Sequence, residues 1–179
     1  VSDEHQAAGD LARFVTELRQ IDPTAAPRSG RYPLKDLDAL TRNAIDNLRG
    51  VIDTDATTAA WEQSVHAPAW DGNPVWRHGD LLPPNLLVEH GQLTAVIDFG
   101  AVGIGDPAAD VISGWSVFGP RGRQAFRDAL VVDDGTWARA RGYALHQALL
   151  IIPYYADTNP GCVATAMRTV RHVLADRDV

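Results

Sequence analysis

Between Trp76 and Asp110 the chain reads WRHGDLLPPNLLVEHGQLTAVIDFGAVGIGDPAAD, which sets Asp80, Asn85, Asp98, Asp106 and Asp110 among apolar residues. Two short β-compatible runs, Asn85 to Val88 and Leu93 to Ile97, flank Glu89-His90-Gly91-Gln92, which reads as a tight hairpin. A turn near His90-Gly91 or Gly91-Gln92 puts Asn85 and Asp98 at the open end of that hairpin, within about two residues of lying opposite each other. With strands roughly 4.8 Å apart and a rise of roughly 3.3 Å per residue, both side chains can reach one ion. An amide oxygen plus a carboxylate, without Cys or paired His, is a hard-oxygen donor set that suits Mg²⁺ rather than zinc. Asp80 lies five residues before Asn85 on a loop that starts at Gly79, and can face the same metal-bound group from the other side.

The elements that must hold these residues are mostly helical. Leu11, Phe14, Val15, Leu18 and Ile21 follow helical spacing, closed by Asp22-Pro23. A loop with Pro27, Gly30 and Pro33 follows; Leu34, Leu37, Leu40, Ile45 and Leu48 then repeat the spacing, and Thr57 to Val65 predicts a shorter helix carrying Trp61. After the hairpin, Gly100-Ala101-Val102-Gly103-Ile104-Gly105 reads as a flexible loop. Helical spacing returns over Pro107 to Val117, Arg121 to Val131, Thr136 to Ile152 and Gly161 to Asp176. The expected class is therefore α+β, mostly helical, with one small β-hairpin carrying the polar residues.

His78-Gly79-Asp80-Leu81-Leu82-Pro83-Pro84-Asn85, followed by Ile97-Asp98-Phe99-Gly100, resembles the active site of the aminoglycoside phosphotransferase family, which is related to the protein kinases. The two separated motifs agree in residue type, spacing and order. The resemblance implies a protein-kinase-like C-terminal lobe, with Asp80 as the catalytic group that accepts or orients the proton of a substrate hydroxyl. It implies Asn85 and Asp98 as ligands of Mg²⁺ on the phosphates of ATP or GTP. His78 then braces the catalytic loop, and Asp110 resembles the family's structural aspartate that hydrogen-bonds the loop backbone. Asp106 is the alternative cap for the helix beginning at Pro107.

For the acceptor, acids late in family members suggest a pocket for a cationic small molecule, and the candidates are Asp133, Asp134 and Asp157. Trp115, Tyr154 and Tyr155 are candidate pocket aromatics, with core packing as their competing role. His5, His66, His90, His146 and His172 show no ligand spacing.

A kinase also needs a glycine-rich lid and a lysine that pairs with the phosphates. Gly100 to Gly105 follows the metal aspartate, the wrong order for a lid. The only lysine is Lys35, in a helix-start context where exposure is the natural reading. The expectation is thus one C-terminal lobe over 1–179, with helices over 5–70, the catalytic loop and hairpin over 75–105, and C-terminal helices over 106–179. The N-terminal lobe, roughly 100 residues by ordinary domain size, is expected to be absent. The chain opens Val1-Ser2-Asp3-Glu4 rather than with Met, which reads as a processed product or excised fragment. Such a lobe is expected to be inactive alone, and to expose apolar surface around Leu11 to Leu18 that self-association covers. The alternative function is a non-catalytic, kinase-like binding or regulatory lobe. Metal-dependent phosphoester hydrolysis is disfavoured, because such sites show more His and carboxylate ligands.

Bulk properties narrow the partners. A length of 179 residues with 45% hydrophobic content supports one well-buried unit. The net charge of -7 argues against nucleic acid. The single cysteine, Cys162, excludes an internal disulfide and points to the cytoplasm. The longest strongly apolar run, Ala148 to Ile152, is too short for a bilayer, so no membrane partner is expected.

Overall fold

The computed structural model describes residues 3–24, 26–27, 32–90 and 92–176. Gly30 and the hairpin residue Gly91, both named in the sequence reading, lie outside the described residues.

Helix α1 (Glu4–Arg19) starts where the Asp3 carboxylate accepts the N–H groups of His5 and Gln6, at 3.0 and 3.1 Å. A 3₁₀ turn (Leu34–Leu37) leads into α2 (Asp38–Asn47), and Asp53 caps α3 (Thr54–Val65) through Ala56 N. Lys35 is exposed on that 3₁₀ turn. Strands β1 (Val75–Arg77), β2 (Leu86–Glu89), β3 (Gln92–Val96) and β4 (Gly103–Gly105) form two antiparallel pairs, β2 with β3 and β1 with β4. The chain ends in α4 (Ala108–Val111), α5 (Ser113–Ser116), α6 (Pro120–Leu130), α7 (Asp134–Tyr154) and α8 (Pro160–Ala175).

The centre of the molecule is α7, whose Tyr143, Leu145, Leu149 and Ile152 are buried. It packs against α8, α3, α4 and α2. Trp61, Trp115, Phe118, Phe126, Leu11 and Leu81 are among the largest fully buried side chains. Fully burying residues of this size contributes roughly 1.5–3 kcal/mol each, so helix packing, rather than the two small sheets, holds the fold.

Three expectations are corrected. Gly103 to Gly105 is a strand rather than part of a flexible loop: Val75 pairs with Gly105 and Arg77 with Gly103. Three-residue strands are too short for an alternating pattern, and glycine is depleted in strands, so the sequence hid this pairing. Gly105 is needed there, because a Cβ would lie 2.8 Å from Nε of the buried Arg77.

The helix expected over Pro107 to Val117 is two four-residue helices joined at Ile112. Around the joint the chain makes tighter i to i+3 bonds, Asp110 N to Pro107 O and Trp115 N to Ile112 O. The break lets Asp110 and Ser113 both bond the loop that precedes the hairpin.

Leu11 and Val15 are fully buried, because α1 packs against α6. The surface around Leu11 to Leu18 is therefore not the exposed apolar face. Leu87, Val88, Ile97 and Phe99, on and beside the hairpin, are exposed instead.

Candidate active site

The hairpin register puts Leu86 opposite Val96, and Ile97 N donates to Asn85 O at 3.0 Å. Asn85 therefore faces Ile97, and Asp98 is the next residue out. Asp98 is exposed and adopts φ 61°, ψ 71°, a left-handed conformation that costs a non-glycine residue roughly 1–2 kcal/mol. Its Oδ1 accepts Gly100 N at 3.3 Å, which partly offsets that strain and starts a 3₁₀ turn over Phe99–Ala101.

Asp80 sits half-buried on the loop between β1 and a 3₁₀ turn over Pro83–Asn85. Both of its carboxylate oxygens accept hydrogen bonds, Oδ2 from Asn85 Nδ2 and Oδ1 from Gln147 Nε2, each at 3.0 Å. Asn85 Nδ2 also donates to the Asp80 carbonyl at 2.8 Å. With its nitrogen committed to Asp80, Asn85 presents Oδ1 as a free acceptor. Asp98 retains Oδ2. These are hard oxygen donors at one end of one hairpin, a set that fits Mg²⁺ completed by water and phosphate oxygens. Among the described residues no group of three His, Cys, Asp or Glu side chains is placed to hold a metal by itself.

The loop is clamped from beneath. Asp110 is fully buried, and its two oxygens accept His78 N and Gly79 N at 2.8 Å each. Burial pushes the Asp110 carboxyl above the usual aspartate value, against the pull of those two donors and of Arg19. Burial in turn lowers the Arg19 guanidinium, whose Nη2 donates to Pro107 O at 3.0 Å. Gly79 turns the loop at φ 82°, where a Cβ would lie 2.6 Å from Ala101 O. His78 is fully buried; its Nδ1 accepts Asp80 N at 3.3 Å and its Nε2 meets Ile97 O at 3.0 Å. Both bonds form together when the proton is on Nε2. His78 thus ties the Asp80 loop to the residue before Asp98, and Phe99 packs edge-on against its ring at 4.8 Å.

Asp106 accepts Ala108 N at 2.9 Å and also takes a two-pronged ion pair from Arg139, at 2.7 and 3.1 Å. It therefore anchors α7 as well as the start of α4.

A cleft lies beside Leu82, Pro83 and Pro84, walled by α5, α7 and α8. The residues expected to line an acceptor pocket do not border it. Trp115 is fully buried, packed at a tilt against Trp137 with ring centroids 4.5 Å apart and its Nε1 donating to Asp176. Asp133 caps α7 by accepting Thr136 N at 2.8 Å. Asp134 is exposed and pairs with Arg127. Tyr154 is 76% exposed and packs on Tyr155, and Asp157 is exposed beyond the end of α7. The residue that sequence reasoning missed is Gln147. Its position inside a long predicted helix carries no local signal, since only packing turns it toward Asp80.

The family model described as the phosphotransferase enzyme family matches residues 2–144. The chain belongs to that family.

This phosphotransferase-family chain is 27% identical over 128 residues to the uncharacterized protein YcbJ of Bacillus subtilis (strain 168), covering 66% of this chain and 42% of that protein. It also matches the GDP complex of wild-type aminoglycoside 2'-phosphotransferase-IIIa, with TM-score 0.66 and 19% identity over 96% of this chain and 62% of that one. Macrolide 2'-phosphotransferase MphH from Brachybacterium faecium gives TM-score 0.57 and 21% identity over 93% of this chain and 61% of that one. The phosphotransferase fold is therefore shared over nearly the whole chain, which spans less than two thirds of each of these relatives. No helix among the described residues is long and apolar enough to cross a membrane.

Proposed function

We propose that this chain is the catalytic-loop and metal-binding lobe of a small-molecule kinase, one that moves the γ-phosphoryl group of ATP or GTP to a substrate hydroxyl. The observation that carries this reading is the Asp80 carboxylate, half-buried and held by Asn85 and Gln147 on a loop clamped by Asp110. Asp80 orients the acceptor hydroxyl and receives its proton as the oxygen attacks the γ-phosphorus. The new P–O bond forms as the bond to the β-phosphate oxygen breaks, and the nucleoside diphosphate leaves.

Asn85 Oδ1 and Asp98 are the groups that would hold Mg²⁺, which when bound neutralises charge on the phosphates. His78 and Asp110 are positioning residues that hold Asp80 relative to the hairpin end. The complete reaction needs a glycine-rich lid and a phosphate-pairing lysine, which we assign to an N-terminal lobe beyond this chain; the chain alone is then inactive or nearly so. Nucleotide chemistry and the single free Cys162 fit the cytoplasm.

The test is a pair of variants in the complete enzyme. Asp80→Asn should lower transfer by about 10²–10⁴-fold with Mg²⁺-nucleotide binding retained. Asp98→Ala should instead weaken nucleotide binding in a Mg²⁺-dependent way. Full transfer by Asp80→Asn would remove the assigned role.

A further inference from the structure

The cleft beside Leu82-Pro83-Pro84 has a volume of about 290 Å³, at the small end of ligand-sized pockets. None of the residues that line it carries a charge. Ile112, Ala148 and Ile151 supply apolar wall, and Ser116, Asn159 and Thr165 supply neutral hydrogen-bonding groups. Gln147 lines the same cleft and bonds Asp80, which is not itself a lining residue, so Gln147 links the cleft to the carboxylate assigned to the acceptor hydroxyl.

Two observations point to the chemistry of the occupant. Gln147 Oε1 is buried without a hydrogen-bond partner, a state that a hydroxyl donor in the cleft would relieve. No carboxylate lines the cleft: neither Asp80, whose oxygens accept from Asn85 and Gln147, nor Asp133, Asp134 or Asp157 borders it. An ammonium group entering would lose its water and find no carboxylate in the wall to replace it.

We propose that the cleft takes an uncharged, hydroxyl-bearing acceptor with an apolar body, and discriminates against polyamines. That this ligand is an acceptor rests on the phosphoryl-transfer reading; the neutrality of the cleft does not.

Cys162 lines the cleft and is the only cysteine of the sequence, so its alkylation reports occupancy. The experiment measures iodoacetamide modification of Cys162 in the full chain with hexyl β-D-glucopyranoside, an uncharged hydroxyl-bearing probe, or with kanamycin, a polyamine. The glucoside at twice its dissociation constant should slow modification about threefold, following 1 + [L]/Kd, while kanamycin at the same concentration leaves the rate unchanged. Thr165→Asp, which adds a carboxylate to the wall, should bring kanamycin protection.

Protection by kanamycin equal to that by the glucoside, no glucoside protection up to about 10 mM, or no gain of kanamycin protection in Thr165→Asp would each overturn the inference. Transfer assays with the complete enzyme separate the two readings. Phosphorylation of kanamycin but of no neutral alcohol overturns this inference and leaves the kinase reading standing. Glucoside protection without transfer to any hydroxyl overturns the kinase reading and leaves the cleft assignment standing.

Discussion

Gln147 and Asp80, 67 residues apart in the chain, meet at 3.0 Å through Nε2 and Oδ1. The contact joins the middle of α7 to the loop that carries Asp80, so the orientation of the carboxylate depends on the packing of a helix outside the motif. Gln147→Leu should leave the fold intact and lower the turnover of the complete enzyme about tenfold, or about 1.4 kcal/mol. Steady-state kinetics should show the loss in kcat, with the nucleotide KM unchanged; an unchanged kcat would remove Gln147 from the positioning of Asp80.

Asp110 offers two oxygens to two backbone N–H groups, and an amide offers only one acceptor. Asp110→Asn should therefore cost about 1–3 kcal/mol of stability, read from urea unfolding. The carboxyl is held above its ordinary value, so in the folded protein it binds a proton more readily than in the unfolded chain. Stability linked to this group is full below about pH 3.9 and falls as pH rises through the higher folded value. The decline should vanish in Asp110→Asn.

Gly79→Ala forces a Cβ to within 2.6 Å of Ala101 O at φ 82°. The expected loss is about 2 kcal/mol or more, since left-handed strain and a backbone clash add. A thermal midpoint equal to that of the parent would contradict the geometry of the loop.

Trp61 Nε1 donates to Asp38 Oδ1 at 2.7 Å and is the main reason that the Asp38 carboxyl lies below its ordinary value, with Arg42 adding to the effect. For a depressed carboxyl, the linked stability is present above the unfolded value of about 3.9 and is lost as pH falls through the lower folded value. Trp61→Phe should move the Asp38 titration upward, as followed by carboxyl carbon NMR, and weaken the acid dependence of unfolding below about pH 4.

The sequence by itself determined the longer helices, the hairpin and the motif residues. Apolar spacing marked α1, α6, α7 and α8, and the Asn85/Asp98 relation followed from hairpin register, because spacing two residues across a turn is a local property. The family was legible for the same reason, since Asp80, Asn85 and Asp98 lie within a short stretch of chain. Only the tertiary structure decided what lies against them. The β1–β4 pairing joins segments with no alternating pattern, and the break at Ile112 accompanies the bonds that Asp110 and Ser113 make to the loop. Trp115 went to the core and Asp133 to a helix cap, roles that the same residue types fill as readily as pocket lining. Gln147, and the uncharged cleft it shares, come from helix packing across long sequence separations, and no spacing within one helix specifies which neighbour a side chain will meet.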